Sequence, residues 1–173
     1  MDFTWENNWL LWGRQEQDIE NQLPFELTWI TSDQQTGLHY IEDYVVGFPY
    51  LVIKGKDMEK TLLELQEYEI HFYSLEEIID CVKIATTIEE MKTAILHLGV
   101  AITQPYDSEL FDILCQTLEH SSPIIRNVVI QAIAYIGWTE FKPILEKIYQ
   151  NDLDDKVRNK AYILLESFEI VGI

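Results

Sequence analysis

The sequence is poor in cysteine, glycine and basic residues, and it has no long apolar run. Among 173 residues there are two cysteines, seven glycines, and 12 Lys plus Arg against 30 Asp plus Glu, a formal net charge of −18. Cys81 and Cys115 are too few for the disulfide framework of a small secreted domain; in helix-like apolar contexts they read as two buried thiols in a reducing cytosol. The shortage of positive charge argues against most nucleic-acid and anionic-membrane partners, because both are held by neutralising phosphates with Lys and Arg. Uninterrupted apolar runs reach only about five residues, far short of the roughly 18–20 that cross a bilayer. No basic residue precedes Arg14, whereas a secretory leader opens on basic residues and an apolar stretch. These features lead us to expect a soluble cytoplasmic protein. An apolar content of 47% excludes wholesale disorder.

The motifs of common chemistry are missing too. Seven scattered glycines make no phosphate cradle, dinucleotide fingerprint or nucleophile elbow. Lys54, closing the run Leu51–Ile53, has none of the companions of a kinase strand lysine, and Val52 stands where a restriction-type nuclease site would want an acid. No two of His39, His71, His97 and His120 are four residues apart, as a zinc-binding helix requires. The best catalytic-looking cluster is His39 to Asp43. On a strand only Asp43 shares a face with His39, so a metal site there needs a partner from elsewhere. Acids at 76, 77 and 80 precede Cys81 and oppose formation of a thiolate. No catalytic residue, metal or cofactor is therefore assigned.

What is present is helix punctuation. Ser74-Leu75-Glu76-Glu77 and Thr87-Ile88-Glu89-Glu90 both fit a capping box, in which a hydroxyl and a Glu three residues on satisfy free backbone N–H groups. Ser122-Pro123 sets a capping residue before a proline at the first helical position. Asp107 or Ser108, and Thr139, open two more helices, while Gly99 and Gly137 read as terminators. Between them the apolar residues keep helical spacing, as in Ile113, Leu114, Thr117 and Leu118. About six helices are expected between residues 74 and 169.

These helices repeat. The segment from Ala94 to Gly99 recurs as Ala132 to Gly137, and Leu110 to Leu114 recurs as Phe141 to Leu145. A two-helix unit of roughly 30–40 residues that cannot bury its own apolar face marks a helical solenoid. Asp154-x-x-Val157-Arg158-x-x-Ala161, and Ser122-x-x-Ile125-Arg126-x-x-Val129 followed by Ala132 to Gly137, resemble the HEAT repeat family over residues 87–169. The resemblance implies that Arg126 and Arg158 order the turns between stacked units. The first unit departs from the pattern, with Ile88 where Arg126 stands in the next.

The N-terminal half differs. Trp5, Trp9 and Trp12 have the i, i+4, i+7 spacing of one helix face. Phe25–Trp29 alternates as a strand, a polar loop from Ser32 to Gly37 follows, and Leu38–Ile41 completes a hairpin. Tyr50–Ile53 is a continuous apolar run, expected to be a central strand covered on both faces. Residues 56–68 read as a helix and Ile70–Tyr73 as a further strand, which suggests a right-handed crossover. The resulting fold is α+β: a small mixed sheet with flanking helices over residues 1–73, then HEAT-like helices over 74–173, packed as one body.

Charge and aromatic residues then suggest the function. Residues 1–86 hold 17 acids and 5 bases, residues 87–173 hold 13 and 7. The densest acidic stretch runs through Glu64, Glu67, Glu69, Glu76, Glu77 and Asp80. Such acids can be a merely solvated face or a surface for a basic partner. An apolar patch at Trp5, Trp9 and Trp12, if uncovered, would dock a partner, since Trp and Tyr dominate interface hot spots. We therefore expect a non-catalytic, acidic protein-interaction module, an inhibitor or immunity-type protein or an adaptor, binding a basic protein partner through Glu64, Glu67, Glu76, Glu77, Asp80, Trp5, Trp9 and Trp12. The family resemblance implies an alternative, because some HEAT-like proteins attach or remove bilin chromophores; that branch would bind a tetrapyrrole.

Overall fold

Alternation at Phe25–Trp29 and Leu38–Ile41 predicts a hairpin, and two further strands extend it. The computed structural model describes residues 2–68, 72–103 and 105–172, and has two compact units, Met1–Phe72 and Tyr73–Ile173. The first contains α1 (Asp2–Glu6), β1 (Leu10–Gln15), β2 (Phe25–Ile30), β3 (Thr36–Asp43), β4 (Phe48–Gly55) and α2 (Met58–Gln66). The second contains α3 (Leu75–Ile84), α4 (Ile88–Ala101), α5 (Ser108–Leu118), α6 (Pro123–Ile136), a 3-10 turn (Thr139–Phe141), α7 (Lys142–Asn151) and α8 (Asp155–Val171). The protein is thus of the α+β class.

The sheet is an antiparallel meander in the order β1-β2-β3-β4. Residues 31–35 close the β2–β3 hairpin, where the Asp33 carboxylate accepts from the Thr31 hydroxyl at 2.6 Å and the Gln35 amide at 3.1 Å. The resulting register sets Thr28 opposite His39 and Trp29 opposite Leu38. One face of the sheet carries Leu38 and its cross-strand partner Ile53, and packs on Phe3 of α1 and Leu65 of α2. Gly55 turns the chain from β4 toward α2 at a φ of 119°, and a Cβ there would stand 2.0 Å from the Gln35 carbonyl oxygen. Only glycine fits that turn.

Four expectations for this unit meet the structure differently. Among the described residues all strand pairings are antiparallel, so the sheet they form is not mixed and no parallel crossover joins its strands. Among the described residues β4 lies at the edge of the sheet and not at its centre, and its run Tyr50–Ile53 is half-buried throughout. Of the strand expected at Ile70–Tyr73, Ile70 and His71 lie outside the described residues, and Phe72 and Tyr73 form no strand. The tryptophans share no helix face either. α1 ends at Glu6, Asn8 takes a φ of 56°, and the Trp9 amide donates to the Thr4 carbonyl at 2.8 Å, so Trp12 falls on β1.

In the second unit the helices form three consecutive pairs, α3 with α4, α5 with α6 and α7 with α8. The second members also pack in series, α4 on α6 and α6 on α8. Both expected capping boxes form, at Ser74 with Glu77 and at Thr87 with Glu90. Asp107 and Asp154 cap α5 and α8 through their carboxylates. Ser122 occupies the N-cap of α6 without a capping hydrogen bond from its side chain. Gly137 ends α6 in the left-handed conformation as expected, but Gly99 lies inside α4 and terminates nothing. Its reason is packing: a Cβ at Gly99 would come 2.7 Å from both Cα and Cβ of Ala132, so the missing side chain lets α4 and α6 approach closely.

Arg126 ties one helix pair to the next. Its guanidinium forks onto Asp152, with Nε to Oδ2 and Nη2 to Oδ1 both at 2.7 Å, and Nη1 donates to the His120 carbonyl at 2.9 Å. Arg158 donates to the Asp152 carbonyl at 2.5 Å. Both arginines therefore order the loops at the ends of α5 and α7.

Candidate functional site

A cavity of about 620 Å³ opens beside α3 and α4 in the second unit. Ile78 and Ile84 of α3 and Ala94 of α4 supply apolar lining, with Ala85 from the connecting turn. Tyr73 and His97 add an aromatic wall, their rings stacked at 5.8 Å between centroids with planes 27° apart. Burial pushes the His97 imidazole below its ordinary value, so it is neutral near pH 7. Thr86 and Thr93 contribute hydroxyls, and Cys81 an exposed thiol.

Two acids complete the lining, in different states. Glu89 pairs with Lys92 at 2.8 Å. Glu90 closes the helix cap: the Thr86 amide, the Thr86 hydroxyl and the Thr87 amide all donate to its Oε2 at 3.0 Å. Those bonds, led by the Thr86 amide, hold its carboxyl below the usual carboxylate range. It is a positioned anion at a site that also offers apolar contact.

The sequence-expected partner residues are distributed over both units. Glu76, Glu77 and Asp80 lie together on α3; Glu64 lies on α2 and Glu67 caps its end. Glu77 is committed to the Ser74 cap, Asp80 pairs with Lys83 at 3.9 Å, and Glu64 with Lys60 at 3.5 Å. Glu69 lies outside the described residues. Trp9 is half-buried against Phe3, with ring centroids 5.9 Å apart, and belongs to the core of the first unit. Trp5 and Trp12 are 86% and 67% exposed. Trp12 continues an apolar edge with Leu10 and Leu11, because among the described residues β1 ends the sheet and pairs with β2 alone.

His39 finds its partner across the strands. Nδ1 lies 2.5 Å from Glu26 Oε1, and the Thr28 hydroxyl donates to the same oxygen at 3.1 Å. The Glu26 carboxyl is held below its usual range chiefly by the His39 hydrogen bond. Both Glu26 and Thr28 stand on the face His39 occupies, since Thr28 is its cross-strand neighbour. The arrangement orients the ring but brings the Thr28 hydroxyl to the nitrogen already engaged by the acid, so it does not assemble a nucleophile with a free base. Sequence reading missed Glu26 because only the hairpin register joins it to His39. Among the described residues no group of three His, Cys, Asp or Glu side chains can hold a metal ion.

The cysteines also differ from expectation. Cys81 is exposed rather than buried, since it faces the cavity; Cys115 is half-buried, and burial pushes its thiol up. Both are free. The cavity itself was not foreseen. Its capping residues were legible, but the stacking of Tyr73 on His97 depends on the packing between α4 and the chain before α3. Among the described residues no helix is long and apolar enough to cross a membrane. No protein-family model, curated protein or solved structure matches the chain.

Proposed function

We propose that this chain is a non-catalytic, acidic protein-interaction module with HEAT-like helical pairs, binding a basic protein partner as an inhibitor, an immunity-type protein or an adaptor. The observation that carries the reading is β1: an edge strand with Leu10, Leu11 and Trp12 exposed, on a chain of net charge −18. Natural proteins keep such apolar edges short or charged unless something pairs with them. An added strand would take its affinity from main-chain hydrogen bonds and its specificity from side chains such as Trp12. Net negative charge would speed encounter with a basic partner and disfavour acidic ones.

The reading is tested by affinity capture from the host lysate at low and high salt, with the wild-type chain beside Leu11→Lys and the double variant Glu76→Lys/Asp80→Lys. Glu77 is left intact because it caps α3. A basic protein held at low salt, shed at high salt and lost from either variant supports the reading. Capture indifferent to salt and to both variants, or no capture, overturns it.

A further inference from the structure

We propose that the cavity beside α3 and α4 seats an arginine side chain presented by the basic partner. This deepens the interaction reading above and rests on it. At about 620 Å³ the cavity falls in the range of roughly 300–1,000 Å³ typical of ligand pockets. That is room for a side chain together with the backbone that carries it.

The lining selects for a planar cation on an apolar stem. Ile78, Ile84 and Ala94 match methylene groups, and Tyr73 and His97 add aromatic surface to the lining, which suits a guanidinium. The neutral imidazole adds no positive charge to repel it. Glu90 supplies the counter-charge. Its three cap bonds all end on Oε2, so the carboxylate is immobilised before any ligand arrives, and Oε1 is the oxygen that a guanidinium N–H would reach. An ammonium would meet the same charge but gain less from the aromatic surface, which makes arginine the better occupant than lysine.

Two other partly buried acids are already paired. Asp152, beside a smaller cavity of about 250 Å³ near Cys115, is held by Arg126. Glu26 is held by His39.

The test uses the full chain and two small probes, N-acetyl-arginine amide and its citrulline analogue, which has nearly the same shape without the charge. Binding is followed by NMR shifts of the Ile78, Ile84 and Ala94 methyl groups and of the His97 ring, and by protection of the Cys81 thiol from alkylation. We expect the arginine probe to shift these resonances and slow alkylation, with the citrulline probe at least about tenfold weaker. Glu90→Gln keeps an acceptor for the helix cap, because Gln serves that position as Glu does. It removes the charge, so it should weaken the arginine probe about tenfold while leaving the thermal midpoint close to that of the wild type. Equal binding of the two probes, no response of Glu90→Gln, or no shift at the cavity overturns the inference. Failure of the wider reading looks different: the capture experiment returns no basic protein whatever the probes do.

Discussion

The two units bury their apolar residues in contrasting ways. Among the described residues the helical unit has one contiguous core of 21 buried side chains running from Ile78 to Phe168. Among the described residues the sheet unit centres on Phe3, Leu38 and Leu65, with Trp9, Leu51, Ile53, Tyr68 and Phe72 partly buried around them. The difference follows from geometry. Stacked helix pairs cover each other on successive faces, so every pair adds to a common core. The four-stranded sheet has α1 and α2 on one side and forms its core there. It leaves β1 with an apolar edge, and the other face holds the His39–Glu26 pair. The helical unit is therefore the place to look for rigidity, and the sheet unit for adaptable surface.

The largest expected effect tests the core of the helical unit. Phe141 is fully buried, 4.6 Å from the Phe111 ring and parallel to Trp138. Phe141→Ala should cost about 4 kcal/mol in denaturant unfolding, through lost burial and the cavity left behind. The counterpart in the sheet unit is Leu38→Ala, expected to cost about 3 kcal/mol. If the units differ as described, the loss should be read by the fluorescence of Trp9 and Trp29 at lower denaturant than the helical circular dichroism. Coincident shifts of both probes would break the comparison.

A smaller effect sharpens the account of the helix pairs. Arg126→Ala removes the fork onto Asp152, leaves that carboxylate largely buried, and frees the His120 carbonyl. We expect about 2 kcal/mol, below the roughly 3–5 kcal/mol of a fully buried pair. The sign of the pH dependence is fixed by Asp152, whose carboxyl is held below its usual range chiefly by the Arg126 hydrogen bond. A carboxyl depressed in the folded state stabilises fully above its ordinary value, about 3.9, and that contribution is lost as the pH falls from there through the folded value. Acid titration of the wild type should show that loss, and Arg126→Ala should flatten it.

Helix positions were legible because their determinants are local. Ser74, Thr87 and Asp107 act on amides two or three residues away, and those contacts form as their spacing implies. The family resemblance implies turn-ordering roles for Arg126 and Arg158, but it does not point to Asp152 as the partner of Arg126. Gly99 shows the limit of local reading: glycine after an apolar stretch resembles a terminator, yet here it answers the approach of Ala132 on another helix. The tryptophan spacing misled for a related reason, since a periodicity of three and four residues persists on paper whether or not the backbone turns at Asn7 and Asn8.

By itself the sequence determined the charge, the α+β division, the helix caps and the absence of familiar catalytic motifs, because composition and contacts within a few residues carry them. The tertiary structure alone decided that the four described strands follow the order β1-β2-β3-β4, that Glu26 meets His39, that Trp9 is core while Trp5 and Trp12 are exposed, and that Tyr73, His97 and Glu90 line one cavity. Each of these depends on strand register or helix packing between residues distant in the chain. Such contacts are selected by how whole faces fit together, a property no short stretch of sequence possesses.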